Sequence, residues 1–261
     1  MIYLKIYPMN KIVPFNTYYE TVKIIGNIGT FLLYASGLIS IAVLLLDKSS
    51  FPNKEIFHNY LNSLLAVFSL IYFISNILQN YFFQNAEFHR KDDFTDNSFK
   101  TKLSEKNSTN YFSNDNIENG ILKLGINCFE NSFFTRNISR KMVIKESIKS
   151  TIILCLFILV AAVTDNRIFI TLLKMALPLS IIQKTVKLII LHQSVSKVFF
   201  DFKQIFTYVN EAMRPSLIIN NVINYEKSLS WACITLDSKV FNKMNDELSI
   251  EWVRIKKEHS L

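Results

Sequence analysis

Apolar positions in this chain gather in four windows instead of recurring at helix or strand spacing throughout. The first, Ile24 to Leu46, reads IIGNIGTFLLYASGLISIAVLLL, 23 residues without a charge. At 1.5 Å of rise per residue it is long enough for a hydrocarbon core of roughly 30 Å. The second window, Phe57 to Phe83, follows the short linker DKSSFPNKE. The third, Ile148 to Thr164, is apolar except for Lys149. The fourth, Ile168 to Leu191, comes after only Asp165, Asn166 and Arg167, and carries Lys174, Lys184 and Lys187. Charge at a bilayer centre is costly. Lys184 and Lys187 lie near the end of their window and can snorkel to the interface. Lys174 sits about 9 Å inside the other end by the helical rise. The pattern predicts an all-α integral membrane protein with four transmembrane helices in two hairpins, 24–46 with 57–83 and 148–164 with 168–191. The 23 residues before the first window and the window's own length do not fit a cleavable signal.

Between and after the windows the periodicity becomes that of ordinary amphipathic helices. This divides the chain into an N-terminal segment 1–23, a hairpin 24–83, a connecting region 84–147, a hairpin 148–191 and a helical tail 192–261. QNAEFHRKDDF has no helix breaker and continues the second window as a helix. SEKNSTNYFSNDN reads as a loop. Ile121, Leu124, Cys128, Phe129 and Phe133 then mark one face of a helix that leads into the third window. In the tail, Val195, Val198, Phe199, Phe202, Ile205, Phe206 and Val209 share a face, and Pro215 ends that run. Ile218, Val222, Tyr225, Leu229 and Ala232 follow at spacings of three and four. A last helix is expected to start at Asn245-Asp246-Glu247 and to end on Lys256 and Lys257, in keeping with the helix dipole.

Composition supports long helices: there are only 5 Gly and 5 Pro in 261 residues. The net charge of +8 gives an orientation. The 84–147 region holds ten Lys or Arg and the tail nine, whereas the two hairpin loops share only Lys48, Lys54 and Arg167. Basic flanks stay inside, so both termini are expected in the cytoplasm and the chain in the bacterial inner membrane as a multi-pass protein. Basic charge at this level is not read as affinity for nucleic-acid duplexes. Cys128, Cys155 and Cys233 have no metal-ligand spacing and an odd count, which fits free thiols.

Catalytic signatures are missing: there is no GxxxxGK[ST], GxGxxG, HExxH or GxSxG. The four histidines are far apart, and His89 beside Asp92 and Asp93 is a weaker metal or base candidate than an interfacial ring. Neither enzyme chemistry nor a cofactor or metal is expected. Polar residues within the windows are the better lead. On the second window Asn62, Ser69 and Asn76 recur every seven residues, and Asn80 lies one turn beyond Asn76. Such a stripe, with Lys174, either lines a pore shared by several subunits or hydrogen-bonds neighbouring helices. Gly29, Ser36 and Ser40 form a small-residue face suited to close helix packing. After the second window the cluster Arg90, Lys91, Asp92, Asp93, Asp96, Asn97 and Lys100 carries both signs of charge. Headgroup anchoring explains the cations but not the aspartates.

The stretches HRKDDFTDNSF (89–99), YFSND (111–115), KLGINCFENSFFTRNI (123–138) and NYEKSLSWACITLDSKVFNKMNDELSIEWVRIK (224–256) resemble a family of bacterial antiphage effectors. These are four-span membrane proteins encoded beside a nucleotidyltransferase, as in Hailong-type defence systems. The resemblance covers most of the chain from about residue 85 onward. It implies a homo-oligomeric ion channel, with a tetramer as first guess. The channel would stay closed until a nucleotide product of the partner enzyme binds, and its opening would depolarise the infected cell. In that setting Arg90, Lys91 and Lys100 would pair either with phosphates or with Asp92, Asp93 and Asp96 of neighbours. The alternative is a non-conducting anchor or scaffold that recruits a soluble partner through its cytoplasmic helices.

Overall fold

The computed structural model describes residues 11–48, 52–163 and 168–261, and the side chains of all of these but 44, 47, 48, 157, 160–163 and 168–179. Its helices are α1 (Asn16–Lys48), α2 (Lys54–Phe99), α3 (Ile121–Val163), α4 (Ile168–Tyr208), α5 (Arg214–Ala232) and α6 (Ser238–Glu258), with a 3-10 turn at Glu211–Met213. The described residues contain no strand, only an isolated bridge between Ile12 and Thr109. The protein is therefore all-α, as its low glycine and proline content leads one to expect. Among the described residues two helices, α1 over Asn16–Val43 and α2, are long and apolar enough to cross a membrane. The expected turn at Asp165–Arg167 lies outside the described residues.

The chain divides into two units. One comprises Thr21–Tyr81 and Lys141–Ile189. Within it α1 buries Val22, Leu32, Leu33, Ser36, Ser40 and Val43. Its small residues do what their spacing suggests. A Cβ on Gly29 would stand 3.5 Å from that of Ser75, and one on Gly26 only 2.9 Å from the Gln79 amide. α1 and α2 thus run antiparallel at close approach. α3 and α4 meet through Ser150 and Thr185, whose buried hydroxyls are 2.5 Å apart. Tyr34 of α1 donates to Glu146 of α3 at 3.2 Å. Lys184 of α4 donates to Thr30 at 2.8 Å.

The other unit comprises Met1–Glu20, Phe82–Arg140 and Ile190–Leu261. Its core is aromatic. Phe129 of α3 stacks among Phe199, Phe202 and Phe206 of α4 and meets the edge of Trp252 of α6, with ring centroids 5.2–5.7 Å apart. Such pairs add to the area they bury. α5 packs on α3 where Gly125 leaves room for Ile218; a Cβ there would lie 2.8 Å from the isoleucine. α6 starts earlier than the acidic triplet at 245–247 implies. Asp237 caps it, accepting from the Lys239 and Val240 N–H groups, so the turn chemistry of Asp237-Ser238 outweighs the acidic residues that follow.

Candidate functional site

The charged cluster after the second apolar window forms two separate constructions in the Glu87–Ser108 stretch. The first is an ion-pair latch. Because α2 remains helical, Glu87 lies one turn before Arg90, which grips it through Nε and Nη2 at 2.8–3.3 Å. Arg90 also pairs with Glu226 of α5. Lys91 reaches Glu226 at 3.9 Å and Ser230 at 3.1 Å, while the Tyr19 hydroxyl donates to Glu87. Burial opposes the charges of Arg90 and Glu87. The two carboxylates nevertheless hold Arg90 charged with a raised pKa, and Arg90 keeps Glu87 below its ordinary range against its own burial. One Glu226 oxygen is buried with no partner among the described residues.

The second construction is a clamp on the loop that follows α2. Asp96 accepts from the Leu103 and Ser104 N–H groups and from the Thr101 hydroxyl, at 2.6–3.0 Å. Asp93 accepts from the Ser108 N–H at 2.5 Å and its hydroxyl at 2.7 Å. Asn97 donates to Asp93 and to Ser108. Despite burial, the loop donors hold Asp96 below the usual carboxylate range; at Asp93 burial prevails and its pKa is raised. Lys100 ends α2 in the left-handed region, φ 62°. Within the chain, then, the aspartates bind backbone while Arg90 pairs with glutamates. Asp92 is half-buried and Lys100 exposed, and neither joins the two constructions.

A third polar group, with no counterpart among the candidates drawn from the sequence, sits deeper. Glu130 of α3 is buried and accepts from Asn114 at 2.8 Å; Asn114 also donates to Asn127, and Asn127 to Ser98. Lys256 of α6 donates to the Ser113 carbonyl at 2.7 Å and to Asn114 at 3.3 Å. Burial raises the Glu130 carboxyl to about 7, against the pull of Lys256, the Ser113 N–H, Asn114 and Lys11. The group brings together YFSND, GINCFEN and the tail, three stretches far apart in sequence. Glu87-x-x-Arg90 was readable as a helical ion pair; the parts played by Glu226 and Glu130 depend on residues brought together only by folding.

The polar stripe of α2 splits. Asn62 bonds His58 at 2.9 Å and Ser69 donates to the Leu65 carbonyl at 2.7 Å, both within their own helix. Asn76 and Asn80 are exposed and have no partner among the described residues. They stand among exposed Phe73, Ile77 and Tyr81, on a helix whose most apolar window is only 6% buried. The Lys174 side chain lies outside the described residues. The His89 ring stacks on Tyr18 with centroids 4.0 Å apart, and no group of three metal-ligating side chains occurs among the described residues.

No family profile, no curated protein and no solved structure matches this chain.

Proposed function

We propose that the chain is the membrane subunit of an oligomeric ion channel that defends bacteria against phage. A nucleotide signal from a partner nucleotidyltransferase gates it, and it acts by depolarising the membrane. In this reading four helices span the bilayer, the apolar parts of α3 and α4 joining α1 and α2, with both termini in the cytoplasm. The observation that carries it is the pair of exposed, unpartnered amides, Asn76 and Asn80, on an otherwise apolar and almost uncovered helix face. An amide without a partner is costly in hydrocarbon. Water in a shared lumen, or the same residues of neighbouring subunits, would satisfy it. The latch of Arg90, Glu87 and Glu226 ties α2 to α5, so a signal that displaces α5 would act directly on the helix that carries the stripe.

The test is membrane potential in cells expressing the chain, alone and with its nucleotidyltransferase neighbour, with and without phage. Depolarisation that appears only on triggering and is altered by Asn76→Leu supports a gated pore. A potential unchanged in every condition supports the scaffold instead. The exposed stripe of Ile219, Ile223 and Trp231 on α5 favours that second reading, since it offers a soluble partner an apolar helix face.

A further inference from the structure

Where α3 and α4 pack together in the Phe82–Arg140 and Ile190–Leu261 unit, buried donors on both helices have no partner among the described residues. The Arg136 guanidinium lies over the rings of Phe199 and Phe200, 5.0 and 4.9 Å from their centroids. Its Nε is buried and has no partner among the described residues. Arg140, one turn further along α3, is exposed and has no carboxylate partner among them. Glu251 acts on Arg136 only from beyond ion-pair distance and is itself paired with Arg254 at 3.6 Å. On α4, His192 holds the Ser139 hydroxyl at 3.0 Å through Nδ1. One turn on, the Ser196 hydroxyl is buried and unpartnered. Burial lowers the pKa of His192, as do the charges of Arg136 and Arg140, against a hydrogen bond to the Arg136 backbone. Two neighbouring cations, one of them with a buried and unpartnered Nε, and a buried unpartnered hydroxyl one turn from His192 suit an anion.

The position along α3 says where that anion comes from. The exposed apolar face of α3 begins at Ile144, one turn after Arg140, and continues through Ile148 and Ile152. The third apolar window itself begins at Ile148, so Arg140 lies about 12 Å outside it, a distance that a headgroup layer and an extended arginine side chain span together. We propose that Arg136, Arg140 and Ser196 form a binding site for the phosphodiester of an anionic phospholipid, with the exposed Phe200 ring beside it. The site rests on the membrane reading given above but is independent of conduction. Arginine suits it because a planar fork binds phosphate with two bonds and stacks on aromatic rings at the same time.

The test is native mass spectrometry of the full-length protein in detergent, titrated with phosphatidylglycerol or phosphatidylcholine. Phosphatidylglycerol is expected to bind preferentially. Arg140→Gln, at an exposed position, should weaken it about fivefold, and Arg136→Gln with Arg140→Gln about 25-fold, each surface cation contributing a similar factor. Ser196→Ala should weaken phosphatidylglycerol binding. Should Arg136→Gln unfold the chain, Arg140→Gln with Ser196→Ala is the deciding variant. Equal binding of both lipids, or adducts insensitive to these substitutions, overturns the proposal while leaving the membrane reading intact. Displacement of the lipid by millimolar inorganic phosphate would instead make this a site for a soluble phosphate, and overturns the lipid assignment. Failure of the wild-type chain to enter vesicles of either lipid would overturn both.

Discussion

Glu130 shows how one buried carboxyl sets a pH dependence. Its folded value is about 7, against an ordinary value of 4.5. Between these two pH values the folded chain holds a proton that the unfolded chain has released. The group's contribution therefore favours folding below pH 4.5 and is lost as pH rises to 7. Glu130→Gln is expected to remove that fall, which thermal unfolding from pH 5 to 8 would reveal as a flatter curve. An unchanged slope would mean that the carboxyl ionises freely. Gly125 is a second single-residue constraint, for steric reasons. Gly125→Ala drives a methyl into Ile218 and should destabilise the unit by about 1–3 kcal/mol, read as a lower denaturation midpoint. Ile218→Ala in the same chain should restore part of that loss.

At the scale of elements, α2 carries both the clamp on the loop that follows it and the latch to α5. The Asp96 clamp replaces solvent for two backbone N–H groups and a hydroxyl, so Asp96→Ala leaves them short of an acceptor. The loop between Lys100 and Gly120 should then exchange its amides and be cut by protease far faster, with a loss of about 2–3 kcal/mol. A loop as protected as in wild type would show that the clamp is dispensable. Glu226→Ala leaves Arg90 with Glu87 alone in a buried setting. Breaking a buried pair on one side costs about 3–5 kcal/mol. If the latch also restrains gating, this variant should be toxic without phage; growth equal to wild type at equal expression would detach the latch from the gate.

For the whole molecule the question is what covers α2. With the accessible Cys155 and Cys233 replaced by alanine, cysteines at Asn76 or Asn80 place thiols on the uncovered face. Around a shared axis, symmetry-related copies of one position come together. Mild oxidation in membranes should give covalent dimers from Asn80→Cys or Asn76→Cys and none from Ser75→Cys, which faces Gly29 of the same chain. Dimers from all three positions would indicate random collision.

Much of this architecture is legible in order along the chain. Apolar windows, helical faces such as Val195 to Phe206, the loop after Lys100 and the small-residue face of α1 depend on neighbours within a few turns, so the residues report them directly. The same locality explains one misplacement: acidic residues at 245–247 mimic a helix start that Asp237 in fact provides. The Arg90 cluster shows the limit. Five charges within seven residues, Arg90, Lys91, Asp92, Asp93 and Asp96, look like a single group along the chain. Tertiary structure sends Arg90 to Glu226 and the aspartates to loop amides. Each charge once buried must meet its nearest opposite charge or donor in space, and that partner lies 136 residues away for Arg90 and 15 for Asp93. Glu130 is not legible in the sequence for the same reason: a carboxyl reads as a solvated charge until packing encloses it.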